Sequence, residues 1–248
     1  MTKAVIIAGG KGERLRPVTF EMAKSLIPVK KRPLIDHVID LFWKHRTYEI
    51  WLSLGYLHNQ VRDKYPNNPF WIDKDIVTGM IIPLGTGGWL NRLSQNVIIA
   101  KDLFPKDFYA CNADNLFDLD LNEMMALHKE GRFLATIACT KVSDIRQYGS
   151  VHIKDNKVGN FEEKKNSRIK KSGWINGGYY ILSPKIFSYV KNLDVDINES
   201  FSLERDLFPL LAKEGLLGAY KSEGQWFDTG TFDRWEKVIK EWNGILDA

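Results

Sequence analysis

The apolar run Ala4 to Ala8 ends on Gly9-Gly10-Lys11-Gly12-Glu13-Arg14-Leu15-Arg16-Pro17-Val18-Thr19, a turn carrying three glycines and three cations. A short β-branched run that stops on glycines reads as a buried strand entering a tight loop. Glycines let backbone N–H groups approach an anion with no Cβ in the way, and Lys11, Arg14 and Arg16 can neutralise its charge. By itself such a turn is as consistent with solvated surface charges as with an anion site. Familiar alternatives fail on spacing. A Walker loop requires Gly-Lys followed by Ser or Thr, whereas Gly12 is followed by Glu13. The dinucleotide fingerprint requires a third glycine where Leu15 stands, and Pro17 would interrupt the helix expected after it.

Downstream, short β-branched runs such as Glu49 to Leu54 alternate with apolar residues at helical spacing, which predicts βαβ units and a parallel sheet. Between Pro33 and Arg46, residues Leu34, Ile35, Val38, Ile39 and Phe42 share one helical face, with Pro33 at a first-turn position. Phe108 to Cys111 reads as a buried strand, Leu121 to Lys129 as a helix and Phe133 to Thr140 as a strand, so Asp114 should lie just past a strand end. From Gly149 to Glu162, two short runs flank Lys154-Asp155-Asn156-Lys157, a hairpin-turn composition that brings in antiparallel structure. Trp174 to Leu182 reads as a strand, and Phe232, Trp235, Val238, Ile239 and Trp242 mark a helix within Thr231 to Leu246. No repeat or linker divides the 248 residues, and one domain spanning 1–248 is expected.

Composition removes several function classes. The net charge of +4 comes from cations spread along the chain, which argues against a nucleic-acid surface. Cys111 and Cys139 are the only cysteines, too few for a disulfide framework or a four-cysteine zinc site. The first apolar run is too short for a signal-peptide core or a membrane span, so a cytoplasmic setting without membrane contact is expected. The eight tryptophans are compatible with a homo-oligomer of either small size, dimer or tetramer.

The string Gly9-Gly10-x-Gly12-x-Arg14-Leu15-x-Pro17-x-Thr19, then Lys24-Ser25-Leu26-Ile27-Pro28-Val29 and Arg32-Pro33-Leu34, resembles the signature of the sugar-1-phosphate nucleotidylyltransferases. The resemblance covers nearly the whole chain. It implies an α/β fold, with a Rossmann-like, mostly parallel mixed sheet flanked by helices and a smaller antiparallel sugar-binding portion. It implies a nucleoside triphosphate and a sugar 1-phosphate as substrates. Arg14 and Lys24 would act on the phosphates, and Ala8, Gly9, Gly10 and Gly12 would line the nucleotide.

A triphosphate attacked by another phosphate needs an intervening cation, and the resemblance implies Mg²⁺ held by two aspartates. Asp114 lies in Cys111-Asn112-Ala113-Asp114, where Ala113 replaces the family's usual glycine; Asp228 lies in Trp226-Phe227-Asp228-Thr229-Gly230-Thr231, which is retained in full. On the sugar side, Tyr148-Gly149-x-Val151, Phe161-Glu162-Glu163-Lys164 and Asn176-Gly177-Gly178-Tyr179 follow in the family's order. The resemblance assigns Lys164 to the sugar phosphate and Gly149, Glu163, Asn176 and Gly178 to the sugar. Lys165 stands where the family often has proline.

The loop Pro83-Leu84-Gly85-Thr86-Gly87-Gly88 looks most like the guanylyl-transferring branches that make activated mannose or heptose, and places Pro83, Gly85, Thr86 and Gly87 at the base. Ile82 replaces an acidic residue common before that proline, and Gly12-Glu13-Arg14 also occurs in uridylyl-transferring relatives acting on N-acetylmuramate phosphate. GTP is the leading expectation, with UTP second. A cytidylyltransferase acting on a phosphorylated alcohol and a catalytically silent relative that binds sugar nucleotides are the rivals. In-line attack at the α-phosphorus needs no protein nucleophile, and His37, His45, His58, His128 and His152 are read as packing or surface residues.

Overall fold

The computed structural model describes residues 2–75, 78–148, 150–162 and 171–245, the side chains of 161 and 162 excepted. Its strands, in chain order, are β1 (Lys3–Ile7), β2 (Pro28–Val29), β3 (Arg32–Pro33), β4 (Glu49–Leu54), β5 (Phe70–Ile72), β6 (Phe108–Asn112) and β7 (Asn115–Phe117). They continue as β8 (Ala135–Val142), β9 (Ser150–Lys154), β10 (Lys157–Glu162), β11 (Gly173–Leu182), β12 (Leu217–Lys221) and β13 (Trp226–Asp228). Among the described residues nine of them form one sheet in the order β5-β4-β1-β6-β11-β8-β12-β10-β9. Strands β5, β4, β1, β6, β8 and β12 run one way, while β11 and β10 reverse, so the sheet is mixed and mostly parallel.

Alternation along the strands separates two cores. Ala4 and Ile6 of β1 and Tyr109 and Cys111 of β6 face a cluster with Leu34, Val38 and Phe42 of the helix Leu34–Lys44. Val5, Phe108 and Ala110 face the opposite cluster, which contains Trp89, Phe187 and Phe208. Helices therefore cover both faces, as a sheet buried on two sides requires. No helix among the described residues is long and apolar enough to cross a membrane.

Several boundaries differ from the sequence reading for visible reasons. Pro33 precedes the helix rather than opening it, because its backbone pairs with Pro28 across the β2–β3 hairpin. The helix Leu121–Gly131 starts at Asp120, whose carboxylate accepts from the N–H groups of Asn122 (2.8 Å) and Glu123 (3.0 Å). At its other end Phe133 N donates to His128 O (3.2 Å), so Phe133 closes the helix and β8 begins two residues later than its apolar run. Asp155 and Asn156 both adopt positive φ, 49° and 57°, which suits the two-residue turn joining β9 to β10.

The strand order positions the site. From β1 the chain moves outward through β4 to β5, then returns to place β6 on the other side of β1. A crevice opens at the carboxyl ends of strands where the order reverses. Here it is walled by the loop after β1 and by Ala113-Asp114 after β6, joined where Ala113 N donates to Ile7 O (3.0 Å).

Candidate active site

Gly12 turns the loop at φ 62° and is held there by Thr19, a buried residue whose hydroxyl donates to Gly12 O (2.8 Å). Leu15, fully buried, anchors the following 3₁₀ turn Glu13–Leu15. The turn directs the Arg14 guanidinium against Gly230, 2.7 Å from where a Cβ would stand, which explains a glycine at that position. Lys24 opens a second 3₁₀ turn, Lys24–Leu26, and its ammonium pairs with Oδ2 of Asp114. Burial, the largest single influence, would raise the Asp114 carboxyl, but the charge and hydrogen bond of Lys24, with a backbone hydrogen bond and the Arg14 charge, together outweigh it and hold the group below the usual carboxylate range.

Asp228 reaches the same place from 114 positions away (228 − 114) because β13 pairs antiparallel with β7, setting Asp228 opposite Asn115. The next residue completes the join: Thr229 donates to Asp114 O from both its N–H and its hydroxyl, each at 3.0 Å. The Asp228 carboxylate is held on both oxygens. Oδ2 accepts from the Tyr148 hydroxyl (2.6 Å), and Oδ1 accepts from Gly230 N (2.9 Å) and Arg234 Nη1 (2.9 Å). Burial, then the Asp228 hydrogen bond, pushes the Tyr148 hydroxyl upward, so Tyr148 stays a donor. The Arg234 guanidinium also lies 4.7 Å from the centre of the Tyr148 ring.

Lys24 and Asp114 line a cavity of about 180 Å³ whose wall also includes Ala8, Gly10, Gly12 and Thr86. Ser25 and Asn112 also belong to its wall, and their side-chain oxygens, Ser25 Oγ and Asn112 Oδ1, are buried without a hydrogen-bond partner. A larger cavity of about 590 Å³ shares Tyr148 and the neighbouring Trp226 with this region. Among the described residues no group of three or more His, Cys, Asp and Glu could hold a metal by itself. Two carboxylates nevertheless suit a hard divalent ion that completes its shell with phosphate oxygens and water. Cys111, fully buried with its thiol pushed up by burial, offers no competing ligand.

The structure therefore brings Ala8, Gly10, Gly12, Lys24, Thr86 and Asp114 to one cavity wall, with Arg14 and Asp228 beside them. Gly9 instead packs on the end of β4, where a Cβ would lie 3.1 Å from Gly55 N. Gly85 and Gly87 pack on Phe201, and Pro83 is absent from the cavity wall. Asn176 and Gly178 lie on β11, where Gly178 N donates to Asn176 Oδ1 (2.9 Å). At Gly178, with φ +82°, a Cβ would fall 2.1 Å from Asn115 Nδ2. Gly149, Glu163 and Lys164 lie outside the described residues. Sequence reasoning passed over Arg234, Ser25 and Asn112 as site groups. Only Arg234 carried a signal, its place in the first turn of the helix that follows the Asp228 motif.

Asp73 closes β5 next to Gly9 and is 7% exposed. Burial pushes its carboxyl up to about 7, against the pull of the Arg92 charge. Below the unfolded-state value both states are protonated and the residue costs nothing. As pH rises toward 7 the unfolded chain ionises first, so stability is lost, and above 7 the full cost remains. Asp73→Asn is thus expected to stabilise the fold at pH 8 by on the order of 1–4 kcal/mol, and by much less at pH 4. Denaturant unfolding at both pH values measures this, and a gain independent of pH would contradict it.

Comparison with known proteins places this geometry. The sequence model described as nucleotidyl transferase matches residues 3–243. UTP–glucose-1-phosphate uridylyltransferase of Synechocystis sp. is 29% identical over 95% of this chain, which spans 62% of that relative's length. The probable glucose-1-phosphate cytidylyltransferase of Bacillus subtilis is also 29% identical, over 97% of this chain and 96% of its own length. Among solved structures, HddC from Yersinia pseudotuberculosis complexed with GMP-PN superposes with a TM-score of 0.76 at 26% identity, covering 97% of this chain and 99% of its own. The sheet is that of the nucleotide-diphospho-sugar transferase fold, and with 3–243 matched from end to end the chain belongs to the nucleotidyl transferase family.

Proposed function

We propose that this protein transfers a nucleoside monophosphate from a nucleoside triphosphate to a sugar 1-phosphate, releasing pyrophosphate, with GTP as the preferred donor. The observation that carries the reading is the meeting of Lys24–Asp114 with Arg14 and Asp228 at the strand-order crevice. Binding a triphosphate there requires cations for the phosphate oxygens and carboxylates for a divalent ion, and both occur together.

Arg14 and Lys24 neutralise and orient the triphosphate, Arg14 by a planar fork suited to two oxygens and Lys24 as a point charge. Asp114 and Asp228 would hold a divalent ion, Mg²⁺ in our reading, which when bound supplies charge neutralisation at the reacting phosphates. Tyr148 and Arg234 fix the Asp228 carboxylate, so it does not reorganise as charge moves during transfer. Ala8, Gly10, Gly12 and Thr86 contact the nucleotide, with Gly9, Pro83, Gly85 and Gly87 shaping the loops that carry them. Asn176 and Gly178 serve the sugar, together with Gly149, Glu163 and Lys164. A sugar phosphate is already anionic near neutral pH, so positioning replaces a general base. GTP preference is supported by the Pro83 to Gly88 loop and by the fold's similarity to a structure complexed with GMP-PN.

The test is pyrophosphate release with Mg²⁺, each of the four ribonucleoside triphosphates and dTTP, against mannose, glucose, heptose and N-acetylmuramate 1-phosphates. Release with GTP and mannose or heptose phosphate is expected. Release confined to UTP or CTP would overturn the guanylyl preference alone, whereas nucleotide binding without release from any pair would overturn the enzyme reading.

A further inference from the structure

Strands β6, β8 and β12 begin, and β11 ends, at the end of the sheet opposite the crevice, roughly 25 Å away along the eight residues of β8. A cavity of about 450 Å³ opens there, lined by Lys129, Arg132 and Lys185, with Asp107 as the one carboxylate of its described wall. Its apolar part, Phe133, Leu134 and Leu216, is fixed by packing and by backbone. Gly131 and Gly218 leave room for the Phe133 ring, which a Cβ at either position would meet at 2.0 and 2.4 Å. Leu134 N donates to Leu216 O and Ser183 N to Leu134 O, each at 3.0 Å, so the wall is built on three strand ends and is formed in advance of any ligand.

The charge of this cavity is unbalanced. Among the described residues none of Lys129, Arg132 and Lys185, all exposed, has an ion pair or a side-chain hydrogen bond. Asp107 lies instead against His128, with Oδ1 3.8 Å from Nε2, while His128 Nδ1 is engaged with Thr136 Oγ1 (2.8 Å). Burial lowers the His128 pKa, so the imidazole adds no charge near neutral pH. A concavity with low-dielectric walls and an excess of cations focuses its field on an anion. Arg132 shows that one of these cations is kept at a cost. It ends the helix Leu121–Gly131 at φ 51° and ψ 38°, a left-handed conformation that glycine adopts freely and that strains a residue with a Cβ. The cap itself uses only backbone, the Arg132 N–H donating to His128 O and Lys129 O. What the side chain adds over glycine is a guanidinium at the cavity.

We propose that this cavity is a second anion site, separate from the crevice, which binds a phosphate group, free or carried on a small organic ester, through Lys129, Arg132 and Lys185. A guanidinium offers phosphate two parallel donors, and the two lysines add point charges. The volume lies within the range of small-ligand sites, and Phe133, Leu134 and Leu216 give the ring of an ester an apolar surface. A bound phosphate ties the end of the helix Leu121–Gly131 to the turn that leads from β11 into the helix Ile186–Lys191. The site does not depend on the reaction proposed above, since the two cavities share no wall residue.

Calorimetric titration at constant ionic strength tests this, with inorganic phosphate, pyrophosphate, GMP and mannose 1-phosphate as probes and with wild-type, Arg132→Gly and Lys185→Met proteins. Wild type is expected to show one binding site per chain that each variant weakens by at least about 10-fold, whatever else binds at the crevice. Glycine relieves the left-handed strain, so anion-free Arg132→Gly should melt no lower than wild type and up to about 4 °C higher, and its lost binding then cannot come from unfolding. Rates of pyrophosphate release in phosphate-free buffer should be unchanged in both variants. Equal affinity for inorganic phosphate and the two esters identifies free phosphate as the ligand, whereas tighter binding of GMP or mannose 1-phosphate identifies an ester seated on the apolar wall. Isotherms that are the same in wild type and both variants for all four probes would overturn the proposal and leave Arg132 as a helix end alone.

Discussion

Asp228→Asn is expected to lower the rate of pyrophosphate release by about 10²- to 10³-fold while leaving the fold in place. The amide is nearly isosteric with the carboxylate. Its Oδ1 can still accept from Gly230 N and Arg234, and its Nδ2 can donate to the Tyr148 oxygen, whose proton then rotates away. Only the charge is lost. Arg234 keeps partners in Gln147 Oε1 and the Tyr148 ring, so a stability cost of about 1–2 kcal/mol is expected, a few degrees in a chain this long. The catalytic loss should be far larger, because the charge proposed to hold a divalent ion, which also opposes Arg14 and Arg234, is missing when charge shifts between phosphates. Steady-state rates across a Mg²⁺ titration, with a thermal melt beside them, provide the measurement. A variant within 10-fold of wild type at saturating metal would remove Asp228 from the metal site.

Trp89→Ala is expected to cost about 3–5 kcal/mol of stability. Trp89 is 1% exposed and packs at 6.0 Å from Trp71 and 6.3 Å from Phe108, in the core that covers one face of the sheet. Its indole N–H also donates to Thr86 O (3.1 Å), so the same side chain anchors the loop that carries Thr86 to the cavity. Packing and anchoring can be separated. Trp89→Phe keeps most of the ring but loses the donor, so it should recover much of the stability while the KM for the triphosphate stays raised. Unfolding curves and KM values on both variants check this. A phenylalanine variant with a wild-type KM would show that the loop is held by its contacts with Phe201 instead.

Much of the architecture was legible because strand and helix periods are local properties. The runs at β1, β4, β6 and β11 are β-branched or aromatic and stop on glycine or polar residues, and the Leu34–Lys44 face repeats at helical spacing. Helices Gly88–Ser94, Val97–Leu103, Ile186–Lys191 and Phe208–Lys213 were not read. Each is six or seven residues long, too short to show a period. The terminal helix stops at Glu241 rather than running to Leu246, because Trp242 turns inward to pack on Phe227 and His37.

The sequence by itself determined the chemistry available: a glycine loop with cations, two aspartates in recognisable settings, and enough periodic strands and helices to make a mixed α/β sheet. Tertiary structure alone decided which of those groups meet. Asp114 and Asp228 become neighbours through a two-strand pairing that neither segment encodes locally, and Arg234 arrives from a helix whose apolar stripe advertises only packing. The chain of hydrogen bonds from Asn112 through the Tyr180 hydroxyl to Glu204 was even less accessible to sequence, because those partners lie 68 and 92 positions away (180 − 112 and 204 − 112). Hydrogen-bond polarity is a property of the assembled network, so it exists only once the chain has folded.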